Sequence, residues 1–270
     1  MRSLALALSL ALFCAAGIAS SACFQMTTVV SVKGDGSGTI DHSLIVTKAA
    51  LAQLRNFGAL GGGRGQKIDL TSEEQARTLA ATFGPAVTYV SSTPVDTPLG
   101  TGRRSIYAFT DVSQIRISQQ PQAPGISIRT STIDPRRGEI TCALTRSPNG
   151  NAVLHINLPE LNLPTAASDA SAGQGLGQQL ALIRSMLAGA QVSIVVEPVG
   201  QLVATNSPYV EGSRVTLLEA NVDQVLGNDA VLARLQAAST PEDTKAALKD
   251  VPGLKVALDR EVTIEFTPAK

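Results

Sequence analysis

The chain has 270 residues, of which 22 are basic and 22 acidic, so its formal charge at pH 7 is zero; it lacks the excess of Lys and Arg that neutralises a phosphate backbone, which argues against nucleic acid as a partner. Aromatic residues make up 3%, with three Tyr and no Trp, which removes most of the flat platforms on which sugars and exposed bases stack. Apolar residues make up 44%, enough for one large domain or two small ones to bury a core.

Residues 1–22 read as a secretory signal peptide: one positive charge at Arg2, an apolar run from Leu4 through Ala19, and the small-residue exit Ser20-Ser21-Ala22. The run falls short of the roughly 20 apolar residues of a membrane span. Cys23 follows the small residues directly and resembles the bacterial lipoprotein signal, in which the residue after the cut becomes a lipid-modified N-terminal cysteine. Ala22 and Ser21 fit that pattern, while Ser20 stands where the family usually has Leu or another aliphatic residue. The resemblance implies lipidation of Cys23 and attachment to the membrane through that lipid; ordinary cleavage after Ala22 would instead leave a secreted or periplasmic protein. Phe24 is not the Asp that resembles an inner-membrane retention signal, which points to the outer membrane, facing the periplasm, in a Gram-negative source.

Cysteine usage bears on the same choice. Of three cysteines, Cys14 leaves with the signal and only Cys23 and Cys142 remain, too few for a disulfide scaffold. With acyl chains contributing about 0.8 kcal/mol per buried CH₂, one chain holds reversibly and two or three hold firmly.

The first strand is expected directly after the anchor, with Met26, Thr28, Val30 and Val32 on one face. Past the turn Gly34-Asp35-Gly36-Ser37-Gly38, a second strand puts Ile40, His42, Leu44 and Val46 on one face, and pairing Val32 with Ile40 keeps the two faces consistent. Asp35 alone cannot make a calcium loop, which needs several oxygen ligands. A helix is expected over 48–57, followed by the glycine-rich run 61–67, which lacks the Gly-Lys-Ser/Thr ending of a phosphate loop and reads as linker. Thr71-Ser72-Glu73-Glu74 opens a second helix with a capping box; Ala76, Leu79, Ala80 and Phe83 form its buried stripe, and Gly84-Pro85 ends it. Strands are expected over 86–92, 104–110, 114–118, 126–132, 139–146 and 152–158. Pro148-Asn149-Gly150 suits a three-residue hairpin loop that opposes Leu144 to Leu154 and Cys142 to Ile156, so that Cys142 points inward and His155 outward.

Residues 164–175 are small and polar without periodicity and read as a flexible linker or loop between an N-terminal α+β region, 23–163, containing a β-meander, and a C-terminal α+β region, 176–270, which packs with the first if the whole is one domain. In the second region a helix is expected over 176–187, strands over 192–199, 201–205 and 214–219, and a helix over 228–238. A further helix is opened by Thr240-Pro241-Glu242-Asp243, and a half-exposed closing strand has Val262, Ile264 and Phe266 inward. The segments from the Ile40 strand to the Val87 strand and from the Val215 strand to Val262 both run strand, helix, capped helix, strand, either a duplicated unit around the middle meander or shared capping chemistry. The fold class is α+β with antiparallel sheets and several short amphipathic helices.

Catalytic constellations are not evident. The two histidines, His42 and His155, have no His or Cys at ligand spacing, so no metal is assigned. No Gly-x-Ser-x-Gly elbow presents a nucleophile, and an inward Cys142 is inert packing. No catalytic, cofactor-binding or metal residue is assigned, and no cofactor is implied.

Taken together, the Cys23 signal, the strand-Asp-Gly-Ser-Gly-strand hairpin and the segment 206–217, Asn-Ser-Pro-Tyr-Val-Glu-Gly-Ser-Arg-Val-Thr-Leu, resemble a group of bacterial envelope lipoproteins of uncharacterised role. More remotely, the N-terminal hairpin is similar to the start of the LppM-type lipoproteins. The resemblance transfers no catalytic residues; the anchor signal combined with the lack of catalytic constellations points to a lipid-anchored, non-enzymatic binding or structural module of the cell envelope, whose expected partner is an envelope protein or an apolar ligand. The alternatives are a carrier or sensor of a lipid or other apolar ligand, and a hydrolase whose carboxylates converge only in the fold.

Overall fold

The computed structural model describes residues 24–48, 50–51, 69–98, 100–118, 138–159, 189–238 and 240–269. The expected strand 126–132, the helix 176–187, the glycine-rich run 61–67 and the loop 164–175 lie outside the described residues, as does Cys23. The fold is α+β, with two sheets and a few short helices.

The chain enters β1 (Phe24–Val32) immediately and returns through β2 (Gly38–Thr47), with Met26, Thr28, Val30 and Val32 buried on one face of β1 and Ile40, His42, Leu44 and Val46 on one face of β2. The register differs from expectation by two residues: Val32 pairs with Gly38 and Val30 with Ile40. The turn is tighter than the glycine run suggests. The Lys33 N–H donates to the Ser37 carbonyl at 2.8 Å, and Gly36 adopts φ 87° between them, a region that favours glycine. Where Gly38 pairs with Val32 only glycine fits, because a Cβ there would meet the Ser31 carbonyl oxygen at 2.0 Å and the Phe109 ring at 2.5 Å. A shift of two preserves face parity, so the inward residues remain as expected.

Helix α1 (Glu73–Leu79) starts at Ser72, whose hydroxyl accepts from the Gln75 N–H, and tightens into a 3₁₀ turn over Ala80–Phe83 before Gly84. Ala76, Ala80 and Phe83 are buried, with Leu79 packed beside them. Strands β3 (Val87–Asp96) and β4 (Gly100–Phe109) form a hairpin, both longer than expected from the sequence. β5 (Arg116–Ser118), β6 (Glu139–Arg146) and β7 (Ala152–Asn157) follow as an antiparallel meander. The loop between β6 and β7 closes as expected, with Gly150 at φ 87°, Leu144 opposite Leu154 and Cys142 opposite Ile156.

The later strands join both sheets rather than making one of their own. β8 (Gln191–Pro198) pairs in parallel with β1, an exception to the antiparallel expectation. β9 (Gly200–Thr205) and the closing β13 (Glu261–Pro268) extend the meander, with β13 between β7 and β9. β10 (Val210–Glu211) and β12 (Leu254–Val256) pair with successive stretches of β11 (Arg214–Asn221), which pairs with β8. Among the described residues the first sheet therefore runs β10-β11-β8-β1-β2-β4-β3, with β12 beside β11, and the second β5-β6-β7-β13-β9. The two strand-helix-helix-strand segments occupy different settings: β2 and β3 flank β4 in one sheet, whereas β11 and β13 lie in separate sheets. Their likeness is one of order along the chain.

One core lies between the sheets. Val30, Ile40, Tyr107, Ile194 and Val196 from the first sheet pack with Ile140, Leu154, Ile156, Ile264 and Phe266 from the second; each such side chain, fully buried, contributes roughly 1.5–3 kcal/mol relative to exposure. A smaller cluster, Met26, Leu44, Val46, Ala50 and Leu70, occupies the end of the first sheet where β1 begins. The helices α2 (Val222–Leu226), α3 (Asp229–Ala237) and α4 (Pro241–Leu248) link β11 to β12, each opened by an Asn or Thr side-chain cap.

Candidate functional site

The one residue assigned from sequence, Cys23, directly precedes Phe24 of β1. Cys142 is a free thiol buried in the shared core, and burial pushes its pKa up to about 12. A thiol so placed stays protonated and unreactive at neutral pH.

Several carboxylates have structural partners. Asp35 accepts from the backbone and hydroxyl of Ser37, which holds its carboxyl below the usual range, and Asp111 caps the 3₁₀ turn that begins at Val112. Asp41 pairs with Arg104 and Glu219 with Lys255 on the surface. His155, pointing away from the core as expected, lies between Glu261 and Thr145. Among the described residues no group of three His, Cys, Asp or Glu could hold a metal ion, and no helix is long and apolar enough to cross a membrane.

A polar row crosses the inner face of the first sheet between its two apolar clusters. Register sets Thr28 opposite His42, His42 opposite Ser105, and Ser105 opposite Ser92. Thr28, His42 and Ser105 are all buried. Thr28 Oγ1 and His42 Nδ1 share a hydrogen bond of 3.0 Å, and the Phe83 ring meets the imidazole edge-on, 5.4 Å between centroids. Burial lowers the His42 pKa to about 4, so the ring is neutral at pH 7 and one nitrogen carries a proton while the other accepts.

Helix α1 lies over this row. The Tyr107 hydroxyl donates to the Ala76 carbonyl at 2.9 Å, and Arg103 Nε donates to the Thr71 carbonyl at 2.8 Å. The residues Ser72, Gln75, Ala76 and Leu79, spaced so as to share one helix face, line a cleft together with His42, Leu44, Leu70, Arg103 and Ser105. The cleft is shallow, with a volume of about 30 Å³. His42 and Gln75 both line it, and their Nε2 and Oε1 atoms are buried without a hydrogen-bond partner among the described residues. Buried polar atoms are normally paired, and these two stand out on that count.

The inward face of His42 was legible from strand alternation. The cleft was not, because Gln75 sits in a helical capping segment and Arg103 falls just before the strand expected from 104. β4 begins at Gly100 instead, held by its ladder to Val46 and Thr47 despite two glycines. With that extension Arg103 takes its place opposite Leu44, two residues from Ser105.

No known protein family matches the chain, and no curated protein does. Among solved structures, the NMR structure of the folded domain of the LppM protein of Mycobacterium tuberculosis is similar over 92% of each chain, at 10% identity and a TM-score of 0.31. No residue role is carried over from so loose a likeness.

Proposed function

We propose that the protein is a non-enzymatic lipoprotein of the cell envelope, attached to the membrane through lipid on Cys23 and presenting its α+β domain as a binding module. The observation that carries this reading is the setting of the two mature cysteines. Cys142 is closed into the core and Cys23 stands at the signal exit one residue before β1, so the chain offers Cys23 no accessible disulfide partner and no tether longer than a peptide bond. Support for a binding role comes from the buried polar row at His42 and the small cleft beside it, and the carboxylates named above serve as caps and surface ion pairs. Carriage of an apolar ligand would need a largely apolar cavity of several hundred Å³, far more than the cleft beside His42 encloses.

The test is metabolic labelling of cells with a clickable fatty acid, comparing the native chain with Cys23→Ala. Labelled, membrane-associated native protein and an unlabelled variant released from the membrane are expected. Membrane association that survives the substitution without label would overturn the anchor. With Phe24 rather than Asp after Cys23, the labelled form belongs in the outer membrane of a Gram-negative host.

A further inference from the structure

We infer that the helical excursion α2–α4 is the surface that the domain lays against the lipid bilayer, meeting zwitterionic headgroups beside the anchor. The inference rests on the reading of Cys23 as the lipid-bearing residue and goes beyond it by naming what that lipid brings to the membrane. Three observations carry it. The first is register. Gln25 of β1 lies opposite Gln191 of β8, and Gln191 lies opposite Asn221, the last residue of β11. Two strand spacings of about 4.8 Å put Asn221 about 10 Å from Gln25, and Gln25 follows Cys23 by two residues.

The second observation is that the excursion leaves and returns at this same end of the sheet. The Val222 N–H donates to the Ala190 carbonyl at 2.9 Å, the Gly189 N–H to the Asp223 carboxylate at 2.7 Å, and the Asn221 N–H to the Gly253 carbonyl at 2.7 Å. Both ends of 222–252 are thereby fastened beside the start of β1. Lys33, which follows the last residue of β1, lies at the opposite end, about 30 Å away at about 3.3 Å per residue. With no spacer between Cys23 and β1, a lipid on Cys23 draws the helical end to the bilayer and holds the Lys33 turn away from it. The third is the character of the surface. Segment 222–252 carries Asp223, Asp229, Glu242, Asp243 and Asp250 against Arg234, Lys245 and Lys249. Val231, Ala247 and Leu248 are buried, Ala230, Ala237 and Ala246 are exposed, and none of the segment's described large apolar side chains is exposed. Penetration into the acyl layer takes large apolar side chains, and attraction to anionic lipid takes clustered Lys and Arg. A surface with neither rests at headgroup level and stays there through the anchor.

The full chain, purified from membranes in its lipidated form, has Cys23 blocked and Cys142 sealed in the core, so a single introduced cysteine takes a thiol-reactive fluorophore. Ala230→Cys in α3 and Ala246→Cys in α4 are compared with Lys33→Cys, in phosphatidylcholine vesicles containing a lipid with a nitroxide on its headgroup. Two helix positions keep the test readable if one substitution unfolds the chain. Both helix labels should be quenched severalfold more than the Lys33 label, and replacing part of the phosphatidylcholine by phosphatidylglycerol should not strengthen the effect. Vesicle-bound protein quenched equally at all three sites, more at Lys33, or at none overturns the inference and leaves the anchor standing, and quenching that grows with phosphatidylglycerol overturns the headgroup preference. Protein that leaves the vesicles and shows a reactive Cys23 overturns both readings.

Discussion

His42 is the residue on which the polar row turns. Its ring is held neutral by burial, with a pKa of about 4 against an ordinary 6.5. As pH falls, the unfolded chain binds a proton at this residue before the folded one does, so its contribution is full above about pH 6.5 and is lost on descent through pH 4. The displacement corresponds to about 3 kcal/mol. Urea midpoints measured at pH 7 and pH 4.5 should therefore fall more steeply for the native chain than for His42→Phe; equal slopes would contradict a buried neutral imidazole. Thr28 supplies the partner of Nδ1, and Thr28→Val leaves that nitrogen orphaned at a cost of about 1–3 kcal/mol, whereas Thr28→Ser keeps the hydroxyl and costs less. Equilibrium unfolding of the two variants checks the difference. At this scale the sequence was readable where a period of two governs it: the inward position of His42 follows from alternation, and that of Cys142 from alternation once the three-residue loop sets the register. Gln75 and Arg103 were not readable as site residues, since only the packing of α1 across β2 and β4 brings them to His42.

Secondary elements with local chemical signals were legible in proportion to those signals. Thr240 and Asp243 form a reciprocal capping box around the start of α4, the Thr240 hydroxyl accepting from the Asp243 N–H at 3.1 Å and the Asp243 carboxylate from the Thr240 N–H at 3.1 Å. Thr240→Ala should cost about 1 kcal/mol, with Thr240→Ser close to neutral, measured by thermal or chemical unfolding; indistinguishable Ala and Ser variants would show the cap to be idle. The hairpin at Pro148-Asn149-Gly150 was equally clear, because loop length and face parity must agree. Turn length was the weak point in the first hairpin, where three glycines left the closing pair open by two residues. The short α2, β10 and β12 went unforeseen: five, two and three residues carry no periodic pattern, and each exists through its pairing or capping partners.

At the scale of the whole molecule, the fold class followed from the order of strands and helices, but the strand order within the sheets did not. Hydrophobic alternation says which face of a strand is buried and not which strand lies beside it. The parallel pairing of β1 with β8 spans more than 150 residues of sequence, and no local signal specifies it. Its consequence is that β1, the strand joined to Cys23, sits inside its sheet between β8 and β2. An anchor at Cys23 would thus hold the domain by a central strand, with the small cluster around Met26 and Leu44 at the membrane-proximal end. The proposed anchor fixes the state of Cys23 and Cys142, and a thiol titration of the protein purified from membranes reads both. With Cys23 bound to lipid and Cys142 sealed in the core, the folded protein should present no reactive thiol and the unfolded protein one. One reactive thiol in the folded state, or none after unfolding without reductant, would contradict the account, the first by showing a free Cys23 and the second by showing the two cysteines joined.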